Sequence, residues 1–124
     1  MIAMKTLWIV LAATAALAPA ANAAESGKPD CDSGRTPDIV ACVGIETAKW
    51  DKRMNAAYQK ALKEGEPPRQ EQLRTAQRVW IQFRDANCLY FDMGEGTIAR
   101  IDAAECMRNM TETRTHELEE FGQH

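Results

Sequence analysis

The chain has 124 residues, with 15 Lys and Arg against 18 Asp and Glu, a formal net charge of −3. So slight an acidic excess does not suggest a nucleic-acid partner, which a protein normally meets through a basic face, and it gives no attraction to anionic lipid. With 45% hydrophobic residues in so short a chain, one domain with a modest core is expected, of the kind that gains from covalent support.

The first stretch, "MIAMKTLWIVLAATAALAPAANA", carries one positive charge at Lys5, an apolar run from Leu7 to Leu17, and small residues ending Ala21-Asn22-Ala23. That order predicts a secretory signal peptide over residues 1–23. The run is shorter than the roughly 20 residues a membrane span needs, so no stable membrane insertion is expected after its removal. Cleavage would also remove Lys5, leaving 14 basic against 18 acidic residues, a net charge of −4. The first cysteine is Cys31, well past the cleavage point, so a lipid anchor there is not expected. The mature chain is expected to be periplasmic or secreted.

Residues 24–36 begin "AESGKPDCDSGR", small and polar with Gly and Pro, and predict an extended lead-in to a helical domain over 37–124. Thr36-Pro37-Asp38 then reads as a helix start, with Thr36 as N-cap, Pro37 at the first helical position and Asp38 facing the positive helix end. Apolar positions follow at Ile39, Val43, Trp50, Met54, Ala57 or Tyr58, and Ala61 or Leu62. Steps of three and four make one buried stripe that continues to about Glu64. Gly65-Glu66-Pro67-Pro68 stops this helix, because the glycine favours termination and the prolines cannot continue its ladder.

The second helix is predicted from about Arg69 to Phe91, with Leu73, Ala76, Trp80, Phe83, Asn87 and Phe91 at helical spacing. Gly94-Glu95-Gly96 breaks it. Thr97 can cap a third helix from Ile98 to about Phe121, on which Ile101, Met107, Met110, Arg114, Leu118 and Phe121 share a broad face. No strand-type alternation and no repeat is visible. Short connections make successive helices antiparallel neighbours, so the expected fold is all-α, a small antiparallel three-helix bundle. In it Trp80 is expected on a central helix, between the other two.

No group of residues reads as a catalytic or cofactor site. His116 and its neighbour Glu117 point to different faces of one helix, and the serines beyond the signal, Ser26 and Ser33, lie in the lead-in. Met107 and Met110 could be a soft-metal pair, yet methionines three apart on an apolar stripe are the usual filling of a core. Enzymatic activity, a metal and a cofactor are therefore not expected. One polar set does interrupt the apolar stripes: Asn55, Gln77, Arg84, Asp85 and Arg114. A buried Arg114 would need a carboxylate, with Asp51 or Asp85 the natural partners, and the set reads as a network fixing helix register rather than as a ligand pocket.

The cysteines are Cys31, Cys42, Cys88 and Cys106. An even number in a small exported chain reads as two disulfides, and no pair has the close spacing of a zinc site. Helix geometry leaves their pairing open. Cys42 and Cys88 each lie 23 residues from Gly65 and would stand level on antiparallel helices. Cys88 and Cys106 flank the second turn with an offset of roughly 6 Å along the axis.

The order of Cys42, "WDKRMNAAY" from 50 to 58, "AQRVWIQFRDANC" from 76 to 88, "GEGT" from 94 to 97, Cys106, "TETR" from 111 to 114 and Leu118 resembles the LprI-like family. This family is also called domain of unknown function 1311 and is named for a lysozyme inhibitor. The likeness runs from Cys31 to about Leu118. It marks Trp50, Asn55, Tyr58, Gln77, Trp80, Arg84, Asp85, Arg114 and Leu118 as motif positions, and it implies two local staples, Cys31 with Cys42 and Cys88 with Cys106. It further implies an exported, non-enzymatic binding domain with a lysozyme or another envelope protein as partner. The exposed turn Gly94-Glu95-Gly96 is the expected place of contact. An envelope structural or interaction module with no lysozyme partner is the alternative.

Overall fold

The computed structural model describes residues 27–121 and residue 123. The expected signal peptide, and the lead-in before Gly27, lie outside the described residues. Three helices follow in order, α1 (Thr36–Glu64), α2 (Pro67–Asp92) and α3 (Ile98–Glu120), with no strand among the described residues. Residues 27–35 form turns and irregular backbone ahead of α1.

The helix ends follow the expected breaks but use them differently. Arg35, not Thr36, takes the N-cap position of α1, because its carbonyl already accepts the amides of Asp38 and Ile39. Asp38 then gathers the lead-in: its carboxylate accepts from Ser33 Oγ at 2.6 Å and from Arg35 Nε at 2.8 Å. Those hydrogen bonds, with Ser33 the larger influence, hold the Asp38 carboxyl below its usual range. Pro67 and Pro68 do not merely end α1. They begin α2, two residues earlier than expected, since a proline in the first turn forfeits no helical hydrogen bond. Thr97 stands at the N-cap of α3, with no side-chain capping bond.

The topology is up, down, up. α2 runs against both neighbours, as Gln77 faces Met54 and Arg114 while Asn87 faces Met110. α1 and α3 are therefore parallel: Trp50 meets Thr115 and His116, and one turn on Arg53 meets Glu119. The α1–α3 contact is the most extensive, α2–α3 comes second, and α1 and α2 scarcely touch. The central helix is thus α3, and Trp80 on α2 is not held between two other helices as expected.

Small residues explain the closeness of α1 and α3. Thr111 and Thr115 lie four apart on α3, fully buried, where a larger side chain would hold the axes apart. The Thr115 hydroxyl lies 2.7 Å from the Thr111 carbonyl and 3.3 Å from that of Trp50 across the interface, so its burial leaves no orphan donor. The core gathers where all three helices meet: Met54, Ala57 and Ala61 from α1, Leu73 from α2 and Leu118 from α3, with Tyr58, Leu62 and Trp80 against its edge. Outside the interface Arg53 grips Glu119 with two bonds of 2.6 and 2.8 Å and lies over the Trp50 ring.

Several residues expected inside are not. Phe83 is 59% exposed, and Phe91 and Phe121 are also exposed. With only α3 packed closely against it, α2 buries a narrower arc than the spacing of its apolar residues suggests.

The disulfides are Cys31–Cys42 and Cys88–Cys106, leaving no free thiol. Cys42 does not reach Cys88, because α1 and α2 stand apart. Cys31–Cys42 ties the lead-in to α1 at the surface, whereas Cys88 and Cys106 are buried between α2 and α3. The sulfur of Met110 lies 3.8 Å from Cys88 Sγ and 3.9 Å from Cys106 Sγ, and the Asn87 amide donates toward Cys106 Sγ and Met110 Sδ.

Two predictions follow from this arrangement. Under mild reductant, timed alkylation and mass spectrometry should find residues 31 and 42 labelled well before 88 and 106. Replacing Cys88 and Cys106 by serine should lower stability by about 3 kcal/mol, the loop-closure value for such a span. Replacing Cys31 and Cys42 should cost less, since the freed lead-in regains motion in the folded state too. The second prediction concerns acid. Arg53 holds the Glu119 carboxyl below its ordinary value of 4.5. A lowered carboxyl contributes stability above that value and loses it as pH falls through the lowered one. Melts from pH 7 to pH 3 should therefore fall less steeply for Glu119→Gln than for the parent.

Candidate functional site

The polar set predicted between the helices is partly assembled. Arg114 projects from α3 toward α2 and is 8% exposed. Its Nε donates to Gln77 Oε1 at 3.0 Å, and one terminal nitrogen pairs with Glu117 at 2.9 Å, one turn along α3. Neither Asp51 nor Asp85 supplies the carboxylate. A partner three residues away on the same helix is reached without bridging the gap between helices. Gln77 is buried as well, and its amide donates to Met54 Sδ on α1 at 3.7 Å. One glutamine thus touches all three helices.

Trp80 borders this pair. The guanidinium carbons of Arg84 and Arg114 lie 5.2 and 5.9 Å from its ring centroid, and Arg114 also approaches Phe121 at 5.6 Å. Cations near an aromatic face are attracted by its quadrupole, most strongly where water is partly excluded. Trp80 is partly buried and packs at the core edge, with both guanidinium groups near its ring. Arg84 continues outward to Asp85 at 2.9 Å, and Asp85 is exposed.

Asn55 does not join. It is exposed on α1, where it donates to Asp51 at 3.2 Å. Trp50 takes part in a separate cluster, edge-on to His116 at 5.3 Å and beneath Arg53. Tyr58 and Leu118 belong to the apolar core. Sequence reasoning missed Glu117, Thr111 and Thr115. The threonines were detectable, since 111 and 115 stand at helical spacing with Leu118, on the buried face shared by Arg114.

The turn between α2 and α3 sits beyond the buried clamp of Cys88 and Cys106. Residues Gly94, Glu95 and Gly96 are all exposed, with Gly96 at φ +75, a conformation L side chains resist. A Cβ on Gly94 would lie 3.1 Å from the Phe91 carbonyl oxygen and 3.4 Å from Ala99 Cβ. The Cys88–Cys106 disulfide ties together the two helices that carry the turn and its exposed Glu95.

Two hollows flank these elements. A half-enclosed one of about 260 Å³ lies at the α1–α2 turn, bordered by Ala61, Gly65, Leu73, Ala76 and Phe121. The other is an open groove of about 600 Å³ where α1 and α2 splay over α3, bordered by Val40, Arg84, Cys88, Ala104 and Met107. Among the described residues no three His, Cys, Asp or Glu gather as metal ligands.

The central bond is testable by a double-mutant cycle. Arg114→Ala should cost about 2 kcal/mol by leaving the buried Gln77 short of a partner, and Arg114→Lys should not restore a bond aimed by a planar guanidinium. Trp80→Ala should cost about 3 kcal/mol, the low end for a tryptophan, as its ring is only partly buried. Denaturant melts should show Gln77→Ala and Arg114→Ala to be less than additive together, as expected for residues in contact.

Sequence comparison places the fold among known chains. An uncharacterized protein of Rhizobium meliloti (strain 1021) is 31% identical over 94 residues, covering 74% of this chain. This chain spans 62% of that relative's length. No solved structure matches. Residues 29–118, from the lead-in through the core position Leu118, match the family model described as lysozyme inhibitor LprI, and the chain belongs to that family.

Proposed function

We propose that this chain is an exported, non-enzymatic protein that binds and inhibits a lysozyme. The family match over residues 29–118 carries this reading, because it spans the whole helical domain and both disulfides. The disulfides support a periplasmic or secreted location, since such bonds persist in oxidising compartments. No helix among the described residues is long and apolar enough to cross a membrane.

The contact is assigned to Gly94-Glu95-Gly96. A lysozyme works with two carboxyl groups flanking the scissile sugar bond, and an inhibitor acts by occupying the cleft between them. A short turn with an acidic tip suits a basic enzyme, and the Cys88–Cys106 clamp on the helices that carry it reduces the freedom to be lost on binding. The acidic balance of the whole chain adds chiefly to the encounter rate. A non-enzymatic role suits the side chains. Every cysteine is bridged, and the Ser33 hydroxyl already donates to Asp38.

Titration of a purified lysozyme, read by calorimetry and by lysis of cell-wall substrate, tests this function. Glu95→Lys should weaken binding roughly tenfold or more while leaving the melting temperature within about a degree, as expected for an exposed position. Gly96→Ala should weaken it too, and also cost about 1 kcal/mol of stability through its left-handed backbone. Absence of any complex with the parent protein would favour an envelope module without a lysozyme partner.

A further inference from the structure

The solvent face of α2 is unusual for a surface helix. From Gln72 to Met93 the residues at alternating steps of four and three are Gln72, Ala76, Val79, Phe83, Ala86, Tyr90 and Met93. All are exposed except Ala76, which is half-buried. Val79 is 58%, Phe83 59%, Tyr90 77% and Met93 77% exposed. Steps of four and three over three heptads are the seam of a coiled coil, not the broader stripe of a helix lying on a globular core. The flanking positions on one side, Thr75, Gln82 and Leu89, are uncharged as well. The charges of this stretch, Glu71, Arg74, Arg78, Arg84, Asp85 and Asp92, all fall elsewhere on the helix. A face with no charge over about 31 Å along the helix axis can be covered without desolvating an ion.

We propose that this face joins two copies of the chain through an antiparallel, two-fold pairing of their α2 helices. The order of side-chain sizes along the seam selects this occupant. An axis passing between residues 84 and 85 sets Phe83 opposite Ala86, Val79 opposite Tyr90, and Ala76 opposite Met93 of the other copy. At each layer a larger side chain meets a smaller one, so two identical surfaces interdigitate without voids or overlap. A parallel pairing would instead set Phe83 on Phe83 and Ala86 on Ala86, alternately crowded and empty. The exposed parts of Val79, Phe83, Tyr90 and Met93, with Leu89 on the flank, amount to roughly 600 Å² per copy, below but approaching the about 800 Å² that each partner of an ordinary stable interface covers. The two Gly94-Glu95-Gly96 turns then lie at opposite ends of the paired helices.

Sedimentation velocity of the mature, oxidised protein across the micromolar range tests the pairing. The parent should sediment as a dimer. Phe83→Glu should weaken self-association on the order of 100-fold or more by placing a charge in the seam. It should keep the parent's helical circular dichroism, since Phe83 lies outside the core. Val79→Glu and Tyr90→Lys should each be monomeric alone and form a heterodimer when mixed, because only the antiparallel register brings those positions together. A monomeric parent would overturn the proposal, as would a Phe83→Glu dimer as tight as the parent's. Failure of the mixed pair to associate would overturn the antiparallel register. A monomeric parent whose lysozyme binding is lost in Phe83→Glu would assign the face to that enzyme instead.

Discussion

The bond from Arg114 to Gln77 is the constraint on which the rest of the bundle leans. α1 and α2 hardly meet, so the position of α2 is set almost entirely from α3, and the anchors are a buried guanidinium at one end and a buried disulfide at the other. Between those two points lie Trp80, Asn87 and Met110, which fill the seam but do not fix its register. Gln77 extends the tie to Met54 and so makes the placement of α2 depend on α1 as well. A buried arginine contributes little net stability over an apolar residue of the same volume, because its desolvation offsets most of what its partners return. What it contributes is a single permitted alignment, since sliding α2 by one turn would strand it.

The division of labour among the helices follows from side-chain size. Thr111 and Thr115 let α1 and α3 approach closely enough to form a parallel pair with both threonines fully buried. α2 carries bulkier groups on the side facing α3, including Arg84, Trp80 and the disulfide, and packs less intimately. That leaves two consequences at its edges: the open groove over Ala104 and Met107, and an outward arc rich in apolar residues.

The three helices, their two breaks and the cysteine framework were legible because helical spacing and Gly-Pro punctuation are local signals. Resemblance supplied the disulfide pairing that helix bookkeeping left open. What the sequence misassigned was relative placement. The a/d-type spacing of Val79, Phe83 and Tyr90 and the spacing of Leu73, Gln77, Trp80 and Arg84 are two overlapping stripes on one helix. Apolar periodicity favoured Phe83 as interior, whereas the buried arc is the one holding Gln77. The partner of Arg114 was misread for a different reason: Glu117 was weighed only against its neighbour His116, whereas its spacing of three from Arg114 puts it in reach of the guanidinium on the same helix. Asn55 shares the motif stretch around Trp50 but points away from it, a matter of one helical position.

Because α1 and α3 are parallel, the start of the first helix and the end of the last lie at opposite poles of the molecule. Tension applied between them would load the α1–α3 interface in shear along its whole length rather than peel it open turn by turn. The Cys31–Cys42 bridge shortens that load path by passing force from the lead-in directly to α1, sparing its first turn. A domain wired in this way is mechanically stiff along one axis and soft across it, where α2 hangs from its two anchors on α3.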